Sequence, residues 1–247
     1  MDPVDAGGTS RDRALSFGPA AGLYERVRPG YPPEILTWML GSRPLRVADL
    51  GAGTGKFSRV LAAAGHEVVA IEPDPLMAAE FRATAPDGVR VLAGRAEAIP
   101  LPDASVDAVV AAQAYHWFDP AAAHPEIARI VRVGGVFAPV WNLRDESVGW
   151  VAELSRIAGS EDTQVRTPDP VAGFGPYAAH AVRHASTLTA DGLVALVATR
   201  SYYLTADGAR REEIEARLRE LATGLPATFE LPYRAVAFRA VRGAVAS

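Results

Sequence analysis

Val47-Ala48-Asp49-Leu50-Gly51-Ala52-Gly53-Thr54-Gly55-Lys56-Phe57 is the stretch whose reading decides the fold. A short apolar run carries one acid, breaks into three alternating glycines, and resumes at a helical spacing. A strand buried on both faces reads as a short apolar run rather than as an alternation. Glycine lets the backbone turn sharply and approach a ligand closely, because no Cβ intervenes. Beyond the glycines, Phe57, Val60, Leu61 and Ala64 fall on one helical face, and Gly65 supplies a stop. The stretch is therefore strand, tight turn, helix: the nucleotide end of a doubly wound α/β sheet.

Spacing narrows the ligand. A dinucleotide fingerprint requires G-x-G-x-x-G, and Lys56 stands where its third glycine belongs. A phosphate-binding P-loop is excluded, because no G-x-x-x-x-G-K-[ST] occurs. The next apolar run, Glu67-Val68-Val69-Ala70-Ile71, closes on Glu72, about twenty residues past the first glycine, where an acid can accept both ribose hydroxyls of a nucleoside. The plainer role for Glu72 is to begin a turn. Asp74 and Pro75 have the form of an N-cap and a first helical residue, with Leu76, Met77, Ala79 and Phe81 as the inward stripe.

With Asp49 in the strand and G-x-G-x-G behind it, the chain resembles the class I S-adenosylmethionine-dependent methyltransferases. The run Gln113-Ala114-Tyr115-His116-Trp117-Phe118-Asp119, after the fourth apolar strand Val106–Ala111, resembles the A-x-H-W-F-D form of their small-molecule, trans-aconitate-methyltransferase-like subgroup. The resemblance covers Phe17 to Arg144 well and the remainder only in outline. It implies a Rossmann-like seven-stranded sheet in the order 3-2-1-4-5-7-6 with strand seven antiparallel, an N-terminal helical lid, and a C-terminal substrate cap. It also implies cofactor contacts from Tyr24, Arg28, Asp49, Gly51, Ala52, Gly53, Glu72, Pro73, Ala96, Glu97 and Gln113. Tyr24, Arg28 and Tyr31 match a tyrosine and R-P-x-Y-P turn of the lid; without the resemblance, this region reads as two packing helices joined by a proline turn. Gly94-Arg95-Ala96-Glu97 matches the adenine-side loop but places Arg95 where an acid is frequent, which leaves the backbone near Ala96 and the Glu97 carboxylate as candidates; an N-cap role for Glu97 is the alternative.

In an open parallel sheet the carboxyl ends of the strands face the ligand crevice. Tyr115, Trp117, Trp141 and Asn142 are therefore expected to wall the substrate pocket, with aromatic faces toward a sulfonium cation, and the resemblance adds Tyr31 of the lid. His116 reads either as a hydrogen-bonded histidine shaping the pocket or as a general base; His180 and His184 are weaker base candidates. Arg144, expected just past a fifth strand at Val136–Val140, could hold an anionic substrate through a bidentate guanidinium, or form a surface salt bridge with Asp145 or Glu146. Asp119-Pro120 could open a helix, but Pro125 favours a start at Pro125 itself, with Gly134 and Gly135 ending it.

The last third carries no catalytic motif. A helix is expected near Trp150–Ile157, then a loose lid to about His180 containing Phe174 and Tyr177, which join the pocket list. A sixth strand near Ala181–Ser186, helices near Asp191–Arg200 and Arg210–Ala222, and a last strand from Phe229 follow. Pro232 favours an edge or a bulge in that strand.

Composition sets the outer limits. A chain of 247 residues, 49% hydrophobic, suits a single α/β domain. The expected divisions are a frayed end at 1–15, lid helices at 16–42, a cofactor core at 43–145, cap and helices at 146–228, and the last strand at 229–247. A net charge of −4 argues against nucleic acid as the main partner. The absence of cysteine excludes disulfides, thiolate zinc sites and a cysteine nucleophile, and no metal site is expected. No apolar run is long enough to span a bilayer and the N-terminus lacks a signal-peptide core, so a cytoplasmic protein is expected, with a homodimer left open. The resulting expectation is methyl transfer from S-adenosylmethionine to an oxygen, nitrogen or carbon of a small organic molecule. A non-catalytic cofactor-binding or regulatory protein is the competing class, and a nicotinamide-dependent oxidoreductase is disfavoured by Lys56 and by the lack of a Tyr-x-x-x-Lys pair.

Overall fold

The near-continuous apolar runs pair as expected of strands covered on both faces. The computed structural model describes residues 27–159, 165 and 167–244. Within them β1 (Arg46–Leu50), β2 (Glu67–Glu72), β3 (Arg90–Ala93), β4 (Val106–Ala112), β5 (Val131–Arg144), β6 (Ala178–Leu188) and β7 (Phe229–Val241) form one sheet. Its order is β3-β2-β1-β4-β5-β7-β6, and only the pairings of β7 are antiparallel. The sheet order and the direction of β7 agree with expectation.

Alternation along each strand assigns side chains to opposite layers. On one face α1 (Pro33–Leu40) and α2 (Lys56–Ala63) bring Ile35, Met39, Phe57 and Leu61 onto Val47, Val68, Val110 and Ala138. On the other, α4 (Pro120–Ile130) brings Ala123, Ile127 and Ile130 onto Leu50, Val109, Phe137 and Trp141. A third cluster joins α5 (Gly149–Ala158), α6 (Ala190–Ala198) and α8 (Gly208–Thr223) to Phe229, Leu231 and Tyr233 of β7. The short α7 (Ser201–Leu204) links α6 to α8.

Several local expectations require correction. In α3 (Pro75–Thr84), Asp74 caps the helix by accepting from the Leu76 and Met77 amides, as expected. That cap sets the phase so that Met77, Ala78 and Phe81 turn inward, while Leu76 is 57% exposed and Ala79 faces out. Helix α4 begins at Pro120 rather than Pro125: Asp119 accepts from the Ala121 amide, and the burial of Ala123, His124 and Ile127 carries the helix through Pro125. One lost backbone bond is outweighed by that packing. Gly134 and Gly135 do not end the helix; they lie within β5, where its register with β4 shifts. A Cβ on Gly135 would lie 2.6 Å from the Asp107 carbonyl oxygen. Strand β5 runs to Arg144, so Trp141, Asn142 and Arg144 belong to the strand. Strand β7 is internal from Tyr233 onward, but Phe229–Pro232 pair with β6 alone, so Pro232 does sit on a local edge, as expected. There the Pro232 carbonyl accepts from the Asp145 amide, just past the last residue paired with β5.

Candidate active site at the carboxyl ends of β1, β2, β4 and β5

The glycine loop is held from the β2 side. The amides of Gly51 and Ala52 both donate to the Ile71 carbonyl, at 2.9 and 3.2 Å. Gly53 N donates to Glu72 Oε2 at 2.7 Å, and Asp74 N donates to Glu72 Oε1 at 2.8 Å. Gly51 and Gly53 adopt φ of +69° and +58°, which these backbone bonds require and side chains resist. Asp49 is fully buried; its Oδ2 accepts from Ser58 Oγ at 2.6 Å, and its Oδ1 is buried without a hydrogen-bond partner. Ser58 gives no sequence signal beyond its place one turn into α2.

Burial pushes Asp49 up to about 7, opposed by the Ser58 bond and reinforced by the charge of Glu72. Burial likewise pushes Glu72 up to about 7, opposed by the Asp74 and Gly53 amides. Both folded values lie above the unfolded ones, so the folded protein holds protons that the unfolded chain releases between about pH 4 and 7. Their contribution to stability is therefore present at low pH and lost as pH rises through 7. Asp49→Asn removes the ionisation and keeps an acceptor for Ser58. Its unfolding free energy relative to wild type, from urea denaturation without ligand, is expected to climb from pH 5 to pH 8, by an amount on the order of a few kcal/mol at the limit. A pH-independent difference would show that Asp49 ionises normally. Histidines 66, 124 and 184, each held low by burial, act in the opposite sense at pH 5–6.5, and the comparison with wild type cancels them.

These groups suit a nucleoside bearing a cation. Each Glu72 oxygen accepts one amide and keeps a second lone pair for a ribose hydroxyl. The orphaned Asp49 Oδ1 is an acceptor beside the loop.

At the other strand tips, Gln113 holds φ of +54°, its amide on the Val140 carbonyl and its Nε2 on the Asn142 carbonyl, at 2.9 and 2.8 Å. Non-glycine residues in this conformation concentrate at functional sites. His116 lies in the 3-10 turn Tyr115–Trp117, its ring 4.7 Å from that of Trp117. Trp141 Nε1 donates to His116 Nδ1 across a long 3.4 Å. Since indole nitrogen only donates, this contact favours a His116 ring with Nδ1 unprotonated.

Other candidates make contacts within the protein. Tyr115 is buried and its hydroxyl meets His124 Nε2 at 2.9 Å, so it belongs to the core. Asn142, 2% exposed, spends both ends of its amide within the protein: Nδ2 donates to the Gly30 carbonyl and Oδ1 meets His184 Nε2, at 2.8 and 2.9 Å. It fastens the lid turn to β6. Arg28 donates to Thr199 Oγ1 and to the Thr199 carbonyl, both at 3.0 Å, tying the same turn to the end of α6. Tyr31 packs edge-on against Phe57 at the start of α2. Glu97 accepts from the Asp119 amide at 3.0 Å, which fixes the entry to α4; Ala96 turns its side chain into the core, and Pro73 is exposed between Glu72 and Asp74. His180 stacks on Trp38, away from these tips.

Among the described residues of the expected lid, Phe174 and Tyr177 pack on the sheet. Phe174 bridges to Arg242, and Tyr177 packs on Phe137 and Phe238. Phe174 thus lies near the amino end of β5, where Arg242 pairs with Gly134 and Gly135, whereas Tyr177 packs against the middle of that strand. Arg144 is 2% exposed and forms no ion pair among the described residues, so the surface salt bridge does not exist. Tyr24 lies outside the described residues.

Residues 48–138 match the model of the methyltransferase-domain family. Over 239 residues the chain is 47% identical to an uncharacterised methyltransferase of Mycobacterium tuberculosis, covering 93% of this chain and 97% of that one. The chain belongs to the methyltransferase family. This methyltransferase is also 33% identical, over 192 residues, to a malonyl-[acyl-carrier protein] O-methyltransferase of Pectobacterium atrosepticum, covering 74% of this chain and 75% of the relative. A solved structure from Anaeromyxobacter dehalogenans, provisionally assigned as a type II methyltransferase, superposes with a TM-score of 0.60 at 25% identity, covering 87% of this chain and 97% of that one. The fold of the methyltransferase is thus that of the class I enzymes. No described helix is long and apolar enough to cross a membrane, and no group of three or more metal-ligating side chains occurs among the described residues.

Proposed function

We propose that the protein transfers the methyl group of S-adenosylmethionine to an oxygen of a small organic acceptor, in the cytoplasm. The observation that carries this reading is the pair of buried carboxylates flanking the glycine loop: Glu72 accepts from the Gly53 and Asp74 amides, and Asp49, anchored by Ser58, keeps one buried oxygen unpartnered. Glu72 would take the ribose hydroxyls. Asp49 Oδ1 would face the amino-acid end through the loop, and the exposed Leu76 would offer an apolar face to the adenine. The bound sulfonium supplies an already activated methyl, so transfer is an in-line displacement. Alignment and exclusion of water can then provide about 7–11 kcal/mol, and no triad is required. The O-methyltransferase among the relatives favours oxygen as the acceptor atom.

With Trp141 donating to its Nδ1, His116 is read as positioning an acceptor oxygen rather than removing its proton. His116→Ala is expected to lower kcat/KM by about tenfold or more while affinity for S-adenosylmethionine stays within about threefold, and His116→Gln, which restores a donor, should recover most of the loss. A base would instead show a loss of about 10²–10⁴-fold in both variants and a missing limb in the pH profile. The function itself is tested by calorimetry with S-adenosylmethionine and S-adenosylhomocysteine, followed by labelled-methyl transfer to a panel of carboxylic acids, phenols and amines. Absence of binding by either nucleoside would overturn it.

A further inference from the structure

Arg144 ends β5 on the same face as Asn142, opposite Tyr233 of β7, and is among the largest fully buried side chains. One terminal nitrogen donates to the Gly159 carbonyl, just past α5, while its Nε is buried without a hydrogen-bond partner. Asp145, the adjacent acid, is engaged elsewhere: its carboxylate accepts from Ser147 Oγ at 2.6 Å and lies 3.5 Å from Arg183. Ser155, one turn before Gly159 on the same face of α5, is also buried, with its Oγ unpartnered. Arginine commonly caps helix carbonyls, but capping uses one donor here and leaves a buried cation with no ion-pair partner among the described residues. Such a charge is costly unless something pairs with it. A carboxylate would do so: it takes parallel bonds from a guanidinium, accepts from a hydroxyl, and its single negative charge balances the single positive one. A phosphate dianion would leave buried negative charge in excess.

Position along the sheet assigns the role. The β4–β5 pairing ends with Ala112 opposite Val140, at the level where the nucleoside groups converge. Arg144 lies four residues farther along β5, roughly 13 Å of strand. We propose that Arg144, with Ser155, is a buried handle for a carboxylate of the acceptor, distal to the atom that is methylated. This rests on the reading of the site as a methyltransferase centre and adds the class of acceptor: a molecule with its reactive atom at one end and a carboxylate at the other.

The test is calorimetric titration of the full chain, with and without S-adenosylhomocysteine, using acetate, butanoate, hexanoate, octanoate and their primary amides as probes. At least one acid is expected to bind tenfold or more tightly than its amide. Arg144→Gln should bring acid and amide within threefold of each other, and Arg144→Lys should keep part of the preference, which guards against a variant that simply misfolds. In the ligand-free protein Arg144→Met should melt higher, by roughly 2–4 °C, since an uncompensated charge has gone; a pure cap would melt lower. A wild type indifferent to acid and amide overturns the proposal, as does an undiminished preference in Arg144→Gln. Failure of S-adenosylhomocysteine to bind would overturn the methyltransferase reading alone, because the titrations without it still report the handle.

Discussion

Glu72→Gln is expected to weaken S-adenosylmethionine binding by about two orders of magnitude, measured by calorimetry at pH 8, where a carboxylate with a value of about 7 is ionised. The two Glu72 oxygens already accept from Gly53 and Asp74, and each has one lone pair left. A glutamine has only one such oxygen. Its amide nitrogen would face either the Gly53 or the Asp74 N–H, donor against donor, so the loop itself would shift. Two hydrogen bonds to an ionised acceptor are worth about 1.5–3 kcal/mol each, and their loss sets the size of the effect. Affinity within threefold of wild type, in a variant with an unchanged circular dichroism spectrum, would mean that the carboxylate serves only the loop.

Gly55→Ala should cost about 2–5 kcal/mol of stability, read from urea denaturation. Gly55 precedes α2 at φ of +87°, and a Cβ there would lie 2.2 Å from the ring of Phe81, which is wholly buried. The ring cannot retreat without moving α3. Gly65→Ala provides the control: φ is +86°, yet nothing lies within 4 Å, so only backbone strain is expected, about 1 kcal/mol. Equal costs at the two positions would show that Phe81 yields freely. The close approach that a dinucleotide fingerprint assigns to its third glycine is made here one residue earlier, against the next helix rather than the strand.

What could be read from the sequence follows how local the determining chemistry is. Asp49, the three glycines, Glu72 and the Asp74-Pro75 cap are legible because each acts on atoms within a few residues or at one strand's distance. The strand order came from family resemblance, not from residue pattern. Asn142 was legible as a residue at a strand tip but not as a fastener, because its partners Gly30 and His184 lie 112 and 42 residues away. Pro125 misled because a local penalty was weighed without the burial that overrides it. Leu76 misled because a helix face depends on the phase its cap imposes. The left-handed Gln113 leaves no trace in composition at all, since its conformation is imposed by Val140 and Asn142 on the neighbouring strand.

The placement of β7 between β5 and β6 has a consequence for biosynthesis. Strands β1, β2, β4 and β5, whose ends carry the candidate site, have left the ribosome long before Phe229 does, while β5 and β6 wait with bare hydrogen-bonding edges for a partner that is made after both. Until it inserts, those edges are templates for pairing with another chain. A product stalled before Phe229 would therefore combine the first five strands with an adhesive flank, and chaperone demand should be concentrated on the interval before β7 emerges.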